Sequence, residues 1–168
     1  VAQERNLLAR VARKDEAAFQ QLYSEFARRV FRYSLTLLRN QHLAEEVVQE
    51  TMITVWDKAE AFEGRSQVST WIFGIARNKA YSLLRREEKG KRMPDENLIL
   101  ADPAPAIERK EHVRAALDQL PPDQREIVFL AFYENLHYKT IAGLLSIPEG
   151  TVKSRMYLAK KKLAEALT

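Results

Sequence analysis

Arg65, Ser66, Ser69 and Thr70 stand just before Trp71 in the stretch FEGRSQVSTW, residues 62–71. Hydroxyls and an arginine can read base edges while an indole face stacks on a base, so this stretch has the chemistry to hold an unstacked nucleotide. An ordinary capped turn beside a core tryptophan has the same composition, and composition alone favours that simpler reading. Towards the other end, Thr151, Lys153, Ser154, Arg155, Tyr157 and Lys160 are types that meet base edges and phosphates from the early turns of a helix lying in a DNA groove. Lys161 and Lys162 follow, with no acid before Glu165. A solvated lysine face would look much the same by itself, but the whole constellation favours DNA. A third group has the opposite sign. Between Glu45 and Glu63 the carboxylates of Glu45, Glu46, Glu50, Asp57, Glu60 and Glu63 are opposed only by Lys58, whereas Arg65 to Arg92 holds eight basic residues against Glu87 and Glu88. That split implies two partners of opposite charge.

The elements that must position these groups are helical. Ala44, Val47, Val48, Thr51, Met52, Val55 and Trp56 recur at helical spacing, which places the carboxylates at 45, 46, 50 and 57 mainly outside a buried stripe. In the next helix Ile72, Ile75, Ala76, Ala80, Leu83 and Leu84 form the inner stripe, leaving Phe73, Arg77, Asn78, Tyr81 and Arg85 nearer the outer face. Ser69 or Thr70 is the expected N-cap. Upstream, Phe19, Leu22, Phe26, Val30, Tyr33 and Leu37 predict a long helix flanked by Arg28, Arg29 and Arg32, preceded by a short one over Glu4 to Val11. Asn40 is the expected stop, with Asn40 to Leu43 as the turn. Phe19, Phe26 and Trp56 are expected in the core. The bundle ends near Arg86.

Beyond it, helical periodicity lapses and Pro94, Pro103 and Pro105 appear, the composition of a linker. A linker over Lys89 to Ile107 would reach roughly 60–70 Å when extended, about 18–20 base pairs of duplex. Helical spacing resumes at Glu108 through Val113, Ala116, Leu117 and Leu120. Pro121, Pro122 and Asp123 stop that helix and start another, which buries Ile127, Val128, Leu130, Ala131 and Phe132. The last stretch reads as a helix-turn-helix. Ile141, Ala142, Leu144 and Leu145 precede a turn at Ser146 and Ile147, and a second helix opens at Pro148 with Val152, Met156, Ala159 and Leu163 inward. By itself this motif leaves open which class of regulator carries it.

The 168 residues carry a formal charge of +4 and a pI near 9.3, compatible with nucleic acid and also with many ordinary proteins. The absence of cysteine excludes disulfides and thiolate metal sites, and His42, His112 and His137 stand alone without ligand spacing. There is no glycine-rich phosphate loop or nucleophile motif, so an enzyme finds little support and no cofactor is expected. The longest apolar run, Ile127 to Tyr133, is too short to cross a bilayer, and the polar N-terminus is unlike a signal peptide. The expectation is a soluble, cytoplasmic, all-α protein that does not insert in membranes.

From Ala17 to Leu163 the chain resembles the extracytoplasmic-function (ECF) group of bacterial sigma factors, the exchangeable promoter-recognition subunits of RNA polymerase. The resemblance lies in AEEVVQETMITVW, STWIFGIARNKAYSLLRR, LPPDQREIVFL and IPEGTVKSRMYLAKKKL, and above all in their order and spacing. It implies two small helical domains: sigma region two over residues 1–88 and sigma region four over residues 108–168, joined by a flexible linker over 89–107. It also implies that Glu45, Glu46, Gln49 and Glu50 dock on the coiled coil of the polymerase clamp. The loop from Gly64 to Thr70, including Arg65, Ser66 and Ser69, would with Trp71, Arg77, Asn78 and Lys79 open the minus-ten element and capture an extruded base. Thr151, Lys153, Ser154, Arg155, Tyr157 and Lys160 would enter the minus-thirty-five element. An anti-sigma factor is the implied inhibitory partner, and a stimulus-responsive gene set the implied target. Three positions depart from the family pattern. Ser146 stands where glycine is usual, so the turn must accept a Cβ. Leu158 stands where many relatives have arginine, and Glu46 replaces the commoner aspartate. The competing reading is a free-standing helix-turn-helix regulator whose N-terminal bundle dimerises or senses.

Overall fold

The computed structural model describes residues 2–90 and 107–168, and the elements in both stretches are helical, with no strand among the described residues. Packing divides the chain into two units, Val1–Leu98 and Ile99–Thr168.

The first unit is built on α1 (Ala2–Ala12), α2 (Glu16–Leu38), α3 (Gln41–Lys58) and α4 (Val68–Gly90), with a single 3-10 turn at Ala59–Ala61. Helix α2 packs against each of the other three helices. Its stripe of Leu22, Phe26, Val30 and Tyr33 is fully buried, as its spacing predicts. Phe26 occupies the core, but Phe19 and Trp56 meet edge to face at 5.2 Å on its margin, both half-buried. The Lys14 ammonium covers the margin, 4.8 Å from the Trp56 ring and 2.6 Å from its carbonyl oxygen.

The α2–α3 junction differs from expectation. Arg39, in the left-handed region at φ 52°, ends α2, and its N–H donates to the Leu35 carbonyl. Asn40 begins the next helix: its side chain accepts the Leu43 N–H at 3.1 Å. Helix α3 therefore starts at Gln41, three residues ahead of the apolar stripe that betrays it in sequence. The cap residue supplied the wrong inference because asparagine serves both ends of helices.

Phe73 is a second correction. It is fully buried and meets Tyr33 edge to face at 5.5 Å, with the Arg29 guanidinium 5.5 Å over its outer side. Ile75, one of the expected inner positions, is only half-buried. The buried arc of α4 is wider than one stripe because α2 and α3 both pack on it.

The second unit comprises α5 (Ile107–Asp118), α6 (Pro122–Val128), α7 (Tyr138–Leu145) and α8 (Glu149–Ala166). Pro122 fills the first position of α6, where a missing N–H costs nothing. Helix α6 runs into a wider π turn over Phe129–Tyr133. The extra residue of that turn rotates Phe132 outward, so Phe132 is 59% exposed rather than buried, while Ile127, Val128 and Leu130 remain inside. Helices α5, α6 and α7 each pack on α8. Helix α4 extends through Lys89 and Gly90, and α5 begins at Ile107. The rest of the expected linker, with its three prolines, lies outside the described residues.

Candidate nucleic-acid interface

Helix α3 is amphipathic with a charged exterior. Leu43, Ala44, Val47, Val48, Thr51, Met52 and Val55 are buried, so Glu45 and Gln49 emerge fully on the opposite side, with Glu46 and Glu50 half-covered. Ile53 lies among them, 60% exposed. Glu46 also reaches the neighbouring helix, its Oε1 3.2 Å from an Arg86 guanidinium nitrogen. Both members of that pair face solvent, where such a bridge is worth at most about 1 kcal/mol and breaks readily for a better partner. Among the described residues there is no cluster of three His, Cys, Asp or Glu side chains arranged for a metal.

The loop between the 3-10 turn and α4 is held from the N-terminus. The Arg5 guanidinium donates to the Gly64 and Ser66 carbonyls, each at 3.3 Å. Gly64 sits at φ +76°, where an L side chain is strained, and its Cβ would lie 3.4 Å from the same guanidinium. Sequence reasoning missed Arg5, because a contact spanning some sixty residues leaves no local pattern. Arg65 is strongly exposed and pairs with Glu63 at 3.0 Å, and the Ser66 hydroxyl donates to the Gln67 carbonyl at 3.2 Å.

Helix α4 opens at Val68, with the Trp71 N–H donating to the Gln67 carbonyl. Ser69 and Thr70 thus lie inside the first turn and neither is the N-cap. Ser69 is 5% exposed and turned into the bundle. The Thr70 hydroxyl is buried without a hydrogen-bond partner among the described residues. Trp71 is half-buried against Phe62 at 5.5 Å, its ring spared from the deep core. Asn78, two turns along, is exposed on the same side of α4, and Arg77 lies over the Tyr81 ring at 4.4 Å. Lys79 is half-buried, about 80° round the helix from Trp71, while Arg77 lies about 120° from Trp71 on the opposite flank.

In the second unit, Ser146 ends α7 in the left-handed region at φ 56°, its N–H donating to the Ala142 carbonyl. Ser146 is exposed, so the turn has room for its Cβ, while the left-handed backbone costs a non-glycine residue about 1–2 kcal/mol. The Ile147 N–H donates to the same carbonyl at 3.1 Å. Pro148 is the N-cap of α8, so the helix opens at Glu149, one residue later than read from sequence. Val152, Met156 and Ala159 are buried and seat α8 on α6 and α7. Thr151 is half-buried. Lys153, Ser154, Tyr157 and Lys160 are exposed, Tyr157 by 69%. Arg155 is more constrained, its Nε 3.4 Å from Asp123 of α6. Lys161 lies opposite the buried side of α8, nearer the centre of the exposed face than Lys160. A run of three lysines hides which of them that is until the buried phase of the helix is fixed.

The first unit is thus a helical bundle with an acid-lined outer face, and the second a helix-turn-helix unit with lysines on its second helix. The family model for sigma-70 region 2 matches residues 22–90, and that for sigma-70 region 4 matches residues 110–163. The chain is 34% identical to the ECF RNA polymerase sigma factor RpoE of Cereibacter sphaeroides, across 92% of this chain and 89% of that one. It is 30% identical to the ECF sigma factor SigK of Mycobacterium tuberculosis, across 96% and 91% respectively. Among solved structures it resembles the sigma factor RpoE of Bartonella quintana, solved in complex with the anti-sigma factor NepR, with a TM-score of 0.74 and 27% identity over 89% of this chain and 96% of that one. The chain belongs to the sigma-70 family, within its ECF group of alternative RNA polymerase sigma factors.

Proposed function

We propose that this sigma factor joins core RNA polymerase through the outer face of α3, with Glu45, Glu46, Gln49 and Glu50 meeting a basic coiled coil of the polymerase clamp. Domain boundaries at residues 1–88, 89–107 and 108–168 accompany this reading. The exposed acid face of α3 carries it, because a carboxylate row around exposed Ile53 serves no packing need within the bundle. Arg65, Ser66, Ser69, Thr70, Trp71, Arg77, Asn78 and Lys79 attend strand opening at the minus-ten element. The half-buried indole is suited to stacking on an extruded base, whose unstacking costs a few kcal/mol, and the buried, unpartnered Thr70 hydroxyl becomes available to it only if the start of α4 opens. Ser69 joins such a pocket only if the first turn of α4 loosens. Thr151, Lys153, Ser154, Arg155, Tyr157 and Lys160 serve the minus-thirty-five duplex. The chain is a non-catalytic specificity subunit that works in the cytoplasm, where its polymerase is. No described helix is long and apolar enough to cross a membrane. Because the similar Bartonella quintana protein was solved with an anti-sigma factor, an inhibitor of that kind is proposed to hold this chain inactive until a stimulus arrives.

The test is association with core polymerase. Glu45→Lys with Glu50→Lys reverses charge on the outer face without touching the core, and places like charges against a basic partner. Affinity for core enzyme should fall by about tenfold or more, roughly 1.4 kcal/mol per factor of ten. A wild-type chain that never associates with core enzyme, yet binds operators tightly alone, would instead identify a free-standing regulator.

A further inference from the structure

We propose that Leu158 is a specificity-determining residue that reads a thymine C5-methyl group in the major groove. This rests on the reading of α8 as the helix that enters the upstream duplex. The burial of Val152, Met156 and Ala159 fixes the phase of α8. At 3.6 residues per turn, the stripe opposite them runs through Gly150, Ser154, Tyr157, Leu158 and Lys161.

Three polar members of this helix also have partners within the protein, the two ion pairs among them exposed enough to exchange for a phosphate. The Ser154 hydroxyl donates back to the Gly150 carbonyl at 3.0 Å. Arg155 is drawn towards Asp123 at 3.4 Å, and Lys153 towards Glu149 at 3.8 Å. Gly150 presents no side chain, and a Cβ there would meet nothing within 4 Å, so the first turn can approach a duplex closely. Leu158, one turn beyond Ser154, is 46% exposed and its neighbour Tyr157 is 69% exposed. The outward stripe therefore carries, beside Ser154, Tyr157 and Lys161, one exposed aliphatic side chain, Leu158, where a hydrogen-bonding reader would carry arginine, asparagine or glutamine. Among the four base-pair edges of the major groove, only thymine offers an apolar group, its methyl. A branched aliphatic side chain on a DNA-facing stripe has that group as its complement, and burying it removes both from water.

The experiment uses the full chain bound to core polymerase. Duplexes randomised over the upstream element are selected for binding, and each selected thymine is then replaced singly by deoxyuridine, which lacks only the methyl. With the wild-type chain, one position should weaken binding by about fourfold on losing its methyl. With Leu158→Ala, the thymine preference at that position and the deoxyuridine penalty should both vanish, while the rest of the motif persists. The deoxyuridine arm needs no variant, so a folding defect cannot mimic the result. A selected upstream motif that is indifferent to deoxyuridine, or that keeps the same penalty in Leu158→Ala, overturns the role of Leu158 and leaves the groove-entering reading of α8 intact. Failure to select any upstream motif overturns both.

Discussion

Lys160 and Lys162 lie on opposite sides of α8, each about 100° from Lys161, so a helix seated in a major groove would turn one towards each phosphate backbone. Replacing both with glutamine removes two charges while preserving helix propensity and leaving the buried face untouched. Each phosphate contact contributes about 0.9 to the slope of log affinity against log salt, so the double variant should have a slope shallower by about 1.8. Between about 50 and 200 mM salt, one contact accounts for roughly a 3.5-fold loss and two for roughly twelvefold, so wild type and variant should converge as salt rises. The assay is equilibrium binding of the reconstituted holoenzyme to a promoter duplex across that range. Only the difference between the two proteins is read, so contacts made by polymerase cancel. Single variants should each give about half the change. A double variant with the wild-type slope would refute the groove placement, because lysines on a merely solvated face release no counterions on binding.

Other expectations follow from the same geometry. Phe73→Ala should destabilise the first unit by about 3–5 kcal/mol, read by chemical denaturation, since the ring is fully buried against Tyr33; a loss below about 1 kcal/mol would return Phe73 to the surface. Trp71→Ala and Asn78→Ala should reduce promoter opening, seen by permanganate reactivity of unpaired thymines, far more than they reduce holoenzyme binding to duplex; equal losses in both would place these residues elsewhere in the mechanism. The Asp15 carboxylate is held below its ordinary value, first by the Ala18 N–H it accepts and then by Arg10. Its contribution to stability is complete above the ordinary aspartate value and fades as pH falls through the lowered native one. Asp15→Asn keeps the cap acceptor and should flatten that part of the acid unfolding profile; an unchanged profile would show that other carboxylates dominate it.

Much of the architecture was legible because the long helices announce their buried stripes. Leu22, Phe26, Val30 and Tyr33 read correctly from spacing alone, as did Val152, Met156 and Ala159. Errors gathered where one residue type serves two geometries or where several helices share one face. Asn40 caps a start rather than a stop, and Phe73 is inside because α4 packs on two neighbours. Phe132 escaped because a π turn shifts the helical phase by one residue, which no periodicity of 3.6 anticipates. In the candidate site, the exposed positions of α3 followed from the pattern. The burial of Ser69, the tether from Arg5 to the Gly64 loop and the pairing of Arg155 with Asp123 did not, since each depends on contacts remote in sequence.

The most direct measurement is run-off transcription with core polymerase, this chain and a library of linear promoters, followed by mapping of start sites. Directed initiation downstream of one shared pair of sequence motifs, absent with core enzyme alone and weakened by Glu45→Lys with Glu50→Lys, is the predicted result. Transcripts no more specific than those of core enzyme, from a chain that nonetheless binds duplex DNA by itself, would contradict the account.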